Sequence, residues 1–154
     1  MVINPGSLSY TLSGELAKLH ERAFAGHARG WSAGEITGLT AAPAVLLIVD
    51  DALTPSGFSL FRQVDEEAEL LSLAVDPEKW NNGLGRALLD EGCKELVERG
   101  CKLVFLEVSR GNDRALALYR GAGFSIVGQR LGYYNPDETG TAYLMRLPLA
   151  PPTS

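Results

Sequence analysis

The segment from residue 73 to residue 89 constrains the fold of this chain more than any other. Its sequence is Leu-Ala-Val-Asp-Pro-Glu-Lys-Trp-Asn-Asn-Gly-Leu-Gly-Arg-Ala-Leu-Leu: an apolar strand, a sharp turn, a glycine pair and an amphipathic helix. Gly83 and Gly85 lack a Cβ atom, so a ligand can approach their backbone closely. The helix start offers unpaired N–H groups and the positive end of a helix dipole. The segment therefore predicts an anion-binding turn.

The glycine spacing does not match either of the two common phosphate-binding fingerprints. A Walker loop needs four residues between its glycines and a following Lys-Ser or Lys-Thr pair, and a Rossmann fingerprint needs a third glycine. Taken alone, the Gly-x-Gly pair is equally compatible with an ordinary turn. Its meaning depends on the rest of the chain.

A second strand and helix follow downstream. The apolar run from Leu103 to Val108 is followed by Asn112, which is a good N-cap residue for a helix around 115–120. Gly121 and Gly123 are expected to stop that helix before Phe124. The chain thus repeats the order strand, turn, helix at both candidate sites.

These two motifs together resemble a known family. Val-Asp-Pro followed by Gly-Leu-Gly-Arg-Ala-Leu-Leu, and Leu-Glu-Val followed by Asn and Ala-Leu-Tyr-x-x-x-Gly-Phe, are similar to the GNAT acyl-CoA-dependent N-acetyltransferases. Within that family the resemblance is to the RimI-type ribosomal-protein N-terminal alanine acetyltransferases, over residues 70–135. The position of the family's usual Gln or Arg, three residues before the first glycine, is occupied here by Trp80.

The order of predicted elements is typical of a mixed α/β sheet. Ser13 is expected to cap a first helix through Phe24, and Ser32 a second, short one. Strands are expected at 44–49, 57–63, 69–75, 103–108, 125–130 and 141–147, with a helix at 86–98 ended by Gly100. Hairpins and strand–helix–strand crossovers alternate in this order. It predicts a mostly antiparallel sheet with helices on both faces; the resemblance implies that this sheet splays at the cofactor site.

The resemblance also implies acetyl-CoA as co-substrate, with its pyrophosphate at residues 82–86. Main-chain N–H groups of the glycine turn would contact the pyrophosphate, and the pantetheine arm would lie between the two strands. The implied cofactor-binding residues are Leu73, Ala74, Val75, Asn81, Asn82, Gly83, Leu84, Gly85, Arg86, Ala87, Asn112 and Tyr119.

Glu107 is a single carboxylate in an otherwise apolar strand, on the same face as Leu103 and Phe105. From the residues alone it is either a general base or an edge carboxylate that faces solvent or pairs with an arginine such as Arg110. The resemblance assigns the glutamate of this Leu-Glu-Val motif to deprotonation of the substrate amine.

Tyr119 lies two turns into the second helix. A tyrosine there is often a core residue. Its ordinary pKa of about 10 lies above the pKa of about 8.5 of an ordinary thiol, so it can donate a proton to a departing thiolate only against a modest mismatch. The resemblance assigns this general-acid role to Tyr119, facing the same gap as Glu107.

A covalent acyl-enzyme would need a cysteine beside a base at the strand ends, and neither Cys93 nor Cys101 lies there. Direct attack in a ternary complex is therefore expected. His20 and His27 have no neighbours with metal-ligand spacing, so they are interpreted as packing or surface residues and no metal is expected.

Composition limits the remaining possibilities. With 154 residues and 45% hydrophobic content, residues 1–149 suit a single domain, followed by a flexible tail at 150–154. The net charge is −5 and no basic run occurs, which argues against a nucleic-acid partner. No apolar run is long enough to cross a membrane and no signal peptide is evident, so a cytoplasmic location is expected.

The acceptor amine is open at this point. A protein N-terminal α-amine, as in the RimI-type enzymes, would need less help from a base than a lysine, since their pKa values are about 8 and about 10.4. Trp31, Tyr133 and Tyr134 are candidates to line a substrate slot. The alternatives are a lysine or small-molecule amine, or a non-catalytic acyl-CoA-binding module.

Overall fold

A computed structural model of the protein describes residues 1–4, 8–24, 31–131 and 141–151. His27, Tyr133 and Tyr134 lie outside these residues. The strands are β1 (Val2–Ile3), β2 (Val45–Val49), β3 (Gly57–Val64), β4 (Glu67–Val75), β5 (Leu103–Ser109), β6 (Ser125–Arg130) and β7 (Ala142–Pro148). The helices are α1 (Tyr10–Ala23), α2 (Ala33–Thr40), α3 (Leu84–Glu98) and α4 (Asp113–Gly121).

The strands form one sheet in the order β1-β2-β3-β4-β5-β7-β6. β4 and β5 are parallel, and the other neighbouring strands in the described part of the chain are antiparallel. The crossover between the two parallel strands carries α3, as parallel pairing requires. The predicted mixed, mostly antiparallel α/β fold is confirmed.

The sheet opens between β4 and β5. Their pairing covers three residue pairs, from Glu67 opposite Leu103 to Glu69 opposite Phe105. Beyond that point β4 continues to Val75 and β5 to Ser109 without pairing to each other. The gap lies at the C-terminal ends of two parallel strands, where open α/β sheets usually bind ligands. The predicted splay is therefore present.

A bulge in β4 determines which side chains face each side of the sheet. Leu60 pairs with Ser72 but the next residue, Phe61, pairs with Leu70, so Leu71 is an extra residue. An extra residue reverses the alternation of side chains from that point onward. Leu73, beyond the bulge, consequently packs on the same side as α3, while Leu71 packs with the opposite core.

Two apolar cores lie on the two faces of the sheet. α1 and α2 cover one face, where Leu16, Leu19 and Ile36 are fully buried. α3 and α4 cover the other, where the even-numbered residues of β5 pack against Leu88 and Leu116. No helix among the described residues is long and apolar enough to cross a membrane.

The N-cap of α1 differs from the predicted one. Ser9, rather than Ser13, caps the helix, because its Oγ accepts a hydrogen bond from Leu12 N (3.0 Å). Ser13 is a buried residue inside the helix, and its Oγ donates to Ser9 O and lies 3.0 Å from Thr37 Oγ1 on α2. The prediction for α2 is confirmed: Ser32 and Glu35 form a reciprocal capping box.

α3 lies unusually close to the sheet at Gly92. A Cβ atom built there would overlap the ring of Phe61, a fully buried side chain of β3. Ser59 on the same strand donates a hydrogen bond from its Oγ to Leu88 O of α3 (3.0 Å). This hydrogen bond keeps α3 close to the sheet. The close approach is a packing requirement that only glycine meets.

We predict that Gly92→Ala lowers the free energy of unfolding by about 1–3 kcal/mol, because Phe61 or α3 must shift to make room. Gly14→Ala is the matched control: Gly14 is also inside a helix, but a Cβ atom there meets nothing within 4 Å. The control should be neutral or stabilising by up to about 1 kcal/mol. Urea unfolding of both variants measures the difference, and equal stabilities would contradict the packing role of Gly92.

Candidate active site

The turn before α3 contains backbone N–H groups that have no hydrogen-bond acceptor among the described residues. Asn81 and Gly83 adopt left-handed conformations with φ of 66° and 80°, and Gly83 is the N-cap without a side-chain hydrogen bond. The first α-helical bond is donated by Ala87 N to Gly83 O (3.0 Å). No acceptor among the described residues pairs with the N–H groups of residues 83–86. This is the arrangement that binds phosphate groups at helix starts.

A cleft of about 880 Å³ lies over this turn, between β4, α3 and α4. Nine of the twelve predicted cofactor-binding residues line it: Leu73, Val75, Asn81, Gly83, Leu84, Gly85, Arg86, Asn112 and Tyr119. The remaining three, Ala74, Asn82 and Ala87, do not. Ala74 is fully buried in the core under α1, because the β4 bulge turns its side chain to that face.

Gly85 has a packing role as well as an open backbone. A Cβ atom there would lie 3.4 Å from Leu118 Cδ2 of α4 and 3.6 Å from Val75 Cγ2 of β4. Alanine would fit at ordinary contact distance, whereas the methyl groups of a valine would press on Leu118. The space above Gly83, by contrast, is open.

A cluster of three side chains stands at the rim of the cleft. The Trp80 indole Nε1 donates to Val75 O (3.0 Å), which holds the ring against the end of β4. The Arg114 guanidinium lies 3.9 Å from the centre of that ring, and its Nη1 donates to Asn81 Oδ1 (3.0 Å). The cluster therefore joins the turn before α3 to the first turn of α4.

The charges that line the cleft are mostly positive. Lys79, Arg86 and Arg114 face it together with one carboxylate, Asp113. Arg86 is engaged, since its Nε donates to Asp90 and its Nη1 donates to Gly121 O (3.0 Å). Lys79 and Arg114 have no ion pair among the described residues. Two uncompensated cations in a chain of net charge −5 mark the cleft as a place for an anion.

α4 begins and ends as predicted. Asn112 is the N-cap, and its Oδ1 accepts a hydrogen bond from Ala115 N (3.2 Å). Its side chain also lines the cleft, so capping and ligand contact are compatible. Gly123, with φ of 102°, follows the end of the helix.

Tyr119 is buried on the cleft side of α4. It is 7% exposed, and its ring meets Phe124 edge to face at 5.7 Å. Its hydroxyl forms no hydrogen bond with the described residues, and it is not among the fully enclosed polar atoms that lack a partner, so it has access to the cleft that Tyr119 lines. Burial raises the pKa of the phenol above its ordinary value. The group is thus protonated over the whole working pH range.

Glu107 lies on the face of β5 opposite to the one that packs with Tyr119. Its neighbours Leu106 and Val108 point into the core with Tyr119, so the Glu107 side chain points away from it. Its Oε1 forms an ion pair with Arg130 Nη2 of β6 at 2.7 Å. The predicted interpretation as a carboxylate paired with an arginine therefore applies to the free chain, although the partner is Arg130 and not Arg110.

A second cavity of about 470 Å³ surrounds Glu107. Its walls include Phe105, Val127 and Leu144, together with the Arg62–Glu69 ion pair at 3.0 Å. Tyr119 does not line this cavity. Glu107 and Tyr119 thus line separate cavities, and they flank the gap between β4 and β5 from opposite faces of the sheet.

Trp31 packs against α1. Its ring stacks on His20 with centroids 4.6 Å apart, and its backbone N donates to His20 Nδ1 (3.0 Å). His20 is itself buried, in agreement with its interpretation as a packing residue. Trp31 lines neither of the two cavities. A substrate slot that includes Tyr133 and Tyr134 lies outside the described residues.

Neither cysteine is suited to nucleophilic chemistry. Burial, with a smaller contribution from the Asp90 carboxylate, raises the pKa of Cys93 to about 12, and burial also raises the pKa of Cys101. The Cys101 Sγ donates to Leu103 O (3.3 Å). Neither lines either of the two cavities described above. No group of three or more His, Cys, Asp and Glu side chains among the described residues could hold a metal ion.

The sequence did not single out Arg114 or Arg130 as site residues. Arg114 follows the Asn112 cap by two residues, a place that also suits an exposed helix charge. Arg130 is far from Glu107 in sequence and reaches it only because β6 and β7 extend the sheet beyond β5. The one available signal was the aromatic Trp80, beside which a cation is favoured.

The open sheet, the bare helix start and the adjoining cleft define a ligand-binding α/β domain. The chain belongs to the acetyltransferase (GNAT) family, whose sequence model matches residues 15–124. The [ribosomal protein bS18]-alanine N-acetyltransferase of Escherichia coli (strain K12) is 40% identical over 96 residues. That match covers 62% of this chain and 65% of the relative, so the aligned part spans just under two thirds of the curated relative's length.

Solved structures agree on the fold. The crystal structure of the ribosomal-protein-S18-alanine N-acetyltransferase from Escherichia coli superposes with a TM-score of 0.81 and 30% identity, covering 100% of this chain and 96% of that one. The PaiA N-acetyltransferase from Thermoplasma acidophilum, solved in complex with coenzyme A, gives a TM-score of 0.75 at 20% identity, with coverage of 95% and 96%. The second likeness concerns the fold alone.

We predict that both thiols of the folded chain resist modification by an aromatic disulfide reagent at pH 8. A thiol with a pKa of about 12 is ionised to only about one part in 10⁴ at that pH, and the thiolate is the reactive form. The reactive fraction should rise with pH, the direction expected for a raised thiol pKa. The chain unfolded in guanidinium is the control and should release two equivalents of chromophore; one fast-reacting thiol in the folded chain would reopen an acyl-enzyme mechanism.

Proposed function

We propose that this chain transfers the acetyl group of acetyl-CoA to a primary amine, by direct attack in a ternary complex. The observation that carries the proposal is the row of unpaired N–H groups at residues 83–86, which opens into a cleft that Tyr119 also lines. An acyl carrier with a diphosphate suits that row, and its thioester arm suits the apolar wall formed by Leu73 and Val75. The proposal treats residues 1–149 as one acetyltransferase domain.

From the neutral amine, the reaction removes one proton from nitrogen and supplies one to sulfur; an amine that arrives as a cation first loses an additional proton. The amine nitrogen attacks the thioester carbonyl, the carbon–sulfur bond breaks, and acetylated amine and free thiol are the products. Tyr119 supplies the proton to the departing sulfur. It is protonated throughout the working pH range and has no competing hydrogen-bond partner among the described residues. Burial raises its pKa above the ordinary value, which widens the mismatch with the pKa of the departing thiol.

Glu107 removes the proton from the amine on the opposite face of the sheet. The gap between β4 and β5 connects the two faces, so an acceptor beside Glu107 can meet a thioester held by β4. The Arg130 pair must open for this step. Arg130 is 71% exposed at its side chain, and pairs of this kind contribute only about 0–1 kcal/mol. A cationic amine can therefore replace the guanidinium at the carboxylate.

The preferred acceptor is the α-amine of a protein N-terminus. The Escherichia coli relative, 40% identical over the aligned residues, is by its name an alanine N-acetyltransferase of ribosomal protein bS18. An α-amine, with a pKa of about 8, also leaves less work to a single glutamate than a lysine does. Trp31, Tyr133 and Tyr134 are proposed to line the peptide slot, and the cytoplasm is the proposed location.

An acetylation assay on a panel of acceptors tests the proposal, with release of free CoA thiol as the readout. The panel contains N-terminal peptides, including ones that begin with alanine, the same peptides with a blocked N-terminus and an internal lysine, and small amines. Highest kcat/KM for unblocked N-terminal peptides is expected. Preference for blocked lysine peptides or small amines would overturn the acceptor assignment, and acetyl-CoA binding without any transfer would favour a non-catalytic module.

Tyr119→Phe removes only the hydroxyl and should lower kcat by about 10² to 10⁴. Stability should change little, because the hydroxyl has no hydrogen-bond partner to lose among the described residues. Tyr10→Phe, at an exposed position on α1, is the control and should leave kcat unaltered. Steady-state kinetics and thermal unfolding measure the two effects. Near-normal kcat with a large loss of stability would make Tyr119 a core residue.

Glu107→Gln should lower turnover most at low pH, where little of the amine is neutral and a base matters most. The loss should shrink as the pH rises through the pKa of the acceptor amine. Glu69→Gln is a matched control, because Glu69 lines the same cavity and is likewise paired with an arginine. A Glu107→Gln profile that merely parallels the unaltered enzyme at all pH values would assign Glu107 a structural role.

A further inference from the structure

The proposed acetyl-transfer steps do not use the cluster of Trp80, Asn81 and Arg114. It stands at the rim of the cleft and belongs to the same wall as the bare N–H groups of α3. Its members are fixed by contacts within the described chain: the indole by Val75 O, and the guanidinium by the ring and by Asn81. A long, exposed arginine is thereby held in one place before any ligand arrives.

In that position the Arg114 guanidinium still has N–H donors available to bind a ligand. Arg114 uses Nη1 for Asn81 Oδ1 and has no carboxylate partner in the described part of the chain. A guanidinium carries five N–H donors, so several remain for an anion. Asp113 beside it lies in the first turn of α4, where a carboxylate is favoured by that helix's own dipole. Lys79, also without an ion pair among the described residues, lines the same cleft.

The proposed co-substrate carries two separate anionic groups, a diphosphate and a 3′-phosphate on its ribose. The N–H groups of residues 83–86 account for the diphosphate. They leave the second anion without a partner, and Arg114, which Trp80 and Asn81 hold in place, has no anionic partner within residues 1–4, 8–24, 31–131 and 141–151. Resting on the proposed use of acetyl-CoA, we propose that Arg114, positioned by Trp80 and Asn81, binds the 3′-phosphate of coenzyme A.

The role of Trp80 in this site is to position the arginine. An aromatic face under a guanidinium orients its plane and lowers the conformational entropy that is lost when a phosphate is bound. The amide of Asn81, in its left-handed backbone conformation, sets the rotation of the guanidinium about that stack. Lysine in place of Arg114 would retain the positive charge. It would lose the stacking on the Trp80 ring and the paired N–H donors with which a guanidinium binds phosphate.

Calorimetric titration of the full chain with coenzyme A and with dephospho-coenzyme A tests the proposal, in phosphate-free buffer at low salt. The unaltered chain should bind coenzyme A about tenfold more tightly than the dephospho form, the size expected of a charge-assisted hydrogen bond at a partly exposed site. Arg114→Gln should bind the two ligands equally, with its affinity for the dephospho form within about twofold of the unaltered chain. The preference is a binding measurement and does not depend on turnover.

Arg120→Gln is the matched control for charge. It removes the same charge from the same helix, at an exposed residue that does not line the cleft. It should keep the tenfold preference. Trp80→Phe retains an aromatic face and should keep most of it, whereas Trp80→Leu should reduce it by about two- to fivefold. Thermal unfolding of each variant verifies that the fold is intact.

The possible failures are distinguishable. If Arg114→Gln weakens both ligands equally, the arginine contacts the diphosphate and the proposal is overturned. If the unaltered chain binds both ligands with the same affinity, the 3′-phosphate has no site and the proposal is overturned while acetyl-CoA binding stands. If neither ligand binds, the proposed function fails, and this proposal fails with it.

Discussion

The loss of hydrogen bonding between β4 and β5 after three residue pairs is the constraint on which the rest of the structure depends. Two parallel strands that remained paired to their ends would close the sheet and separate its faces. Here the strands diverge from Glu69 and Phe105 onward, and both faces have access to the same gap. The cleft over α3, the cavity around Glu107 and the proposed meeting of amine and thioester all follow from that divergence.

Charge is distributed to match this geometry. The chain is acidic as a whole, yet the cleft beside α3 contains Lys79 and Arg114 without ion pairs among the described residues. On the opposite face Arg62 is paired with Glu69 and Arg130 with Glu107, and Glu67 adds a further carboxylate to the cavity there. An anionic co-substrate and a cationic acceptor would therefore be attracted to different faces, so electrostatics would separate the two reactants before the gap brings them together.

Much of the fold could be predicted because its signals are local. Periodicity, the Ser32 and Asn112 caps and the glycines near the ends of α3 and α4 placed those elements within a few residues of their observed bounds. The prediction that Ser13 caps α1 was wrong. Serine is favoured as a cap, but here contact with Thr37 of α2 buries Ser13 inside α1. The two-residue β1 has too few residues for any pattern and depends on its pairing with β2.

The site was predicted less completely, since the missing parts are long-range. The glycine pair and Tyr119 were found from motifs, but the face of Glu107 relative to Tyr119 depends on how β5 is covered on each side. The Arg130 pairing spans two strands, and the Arg114–Trp80 contact joins two helix starts. Neither contact corresponds to a residue spacing in the sequence from which it could have been predicted.

The bulge at Leu71 also bears on how this site can change in evolution. Because side chains alternate with a period of two, the orientation of Leu73 and Val75 toward the cleft depends on the number of residues in β4 and not on their identity. Point substitutions can enlarge or fill the cleft, but none can exchange its wall for the other face of the sheet. Only an insertion or deletion of a single residue in β4 could do so, and it would expose one core while it overfilled the other.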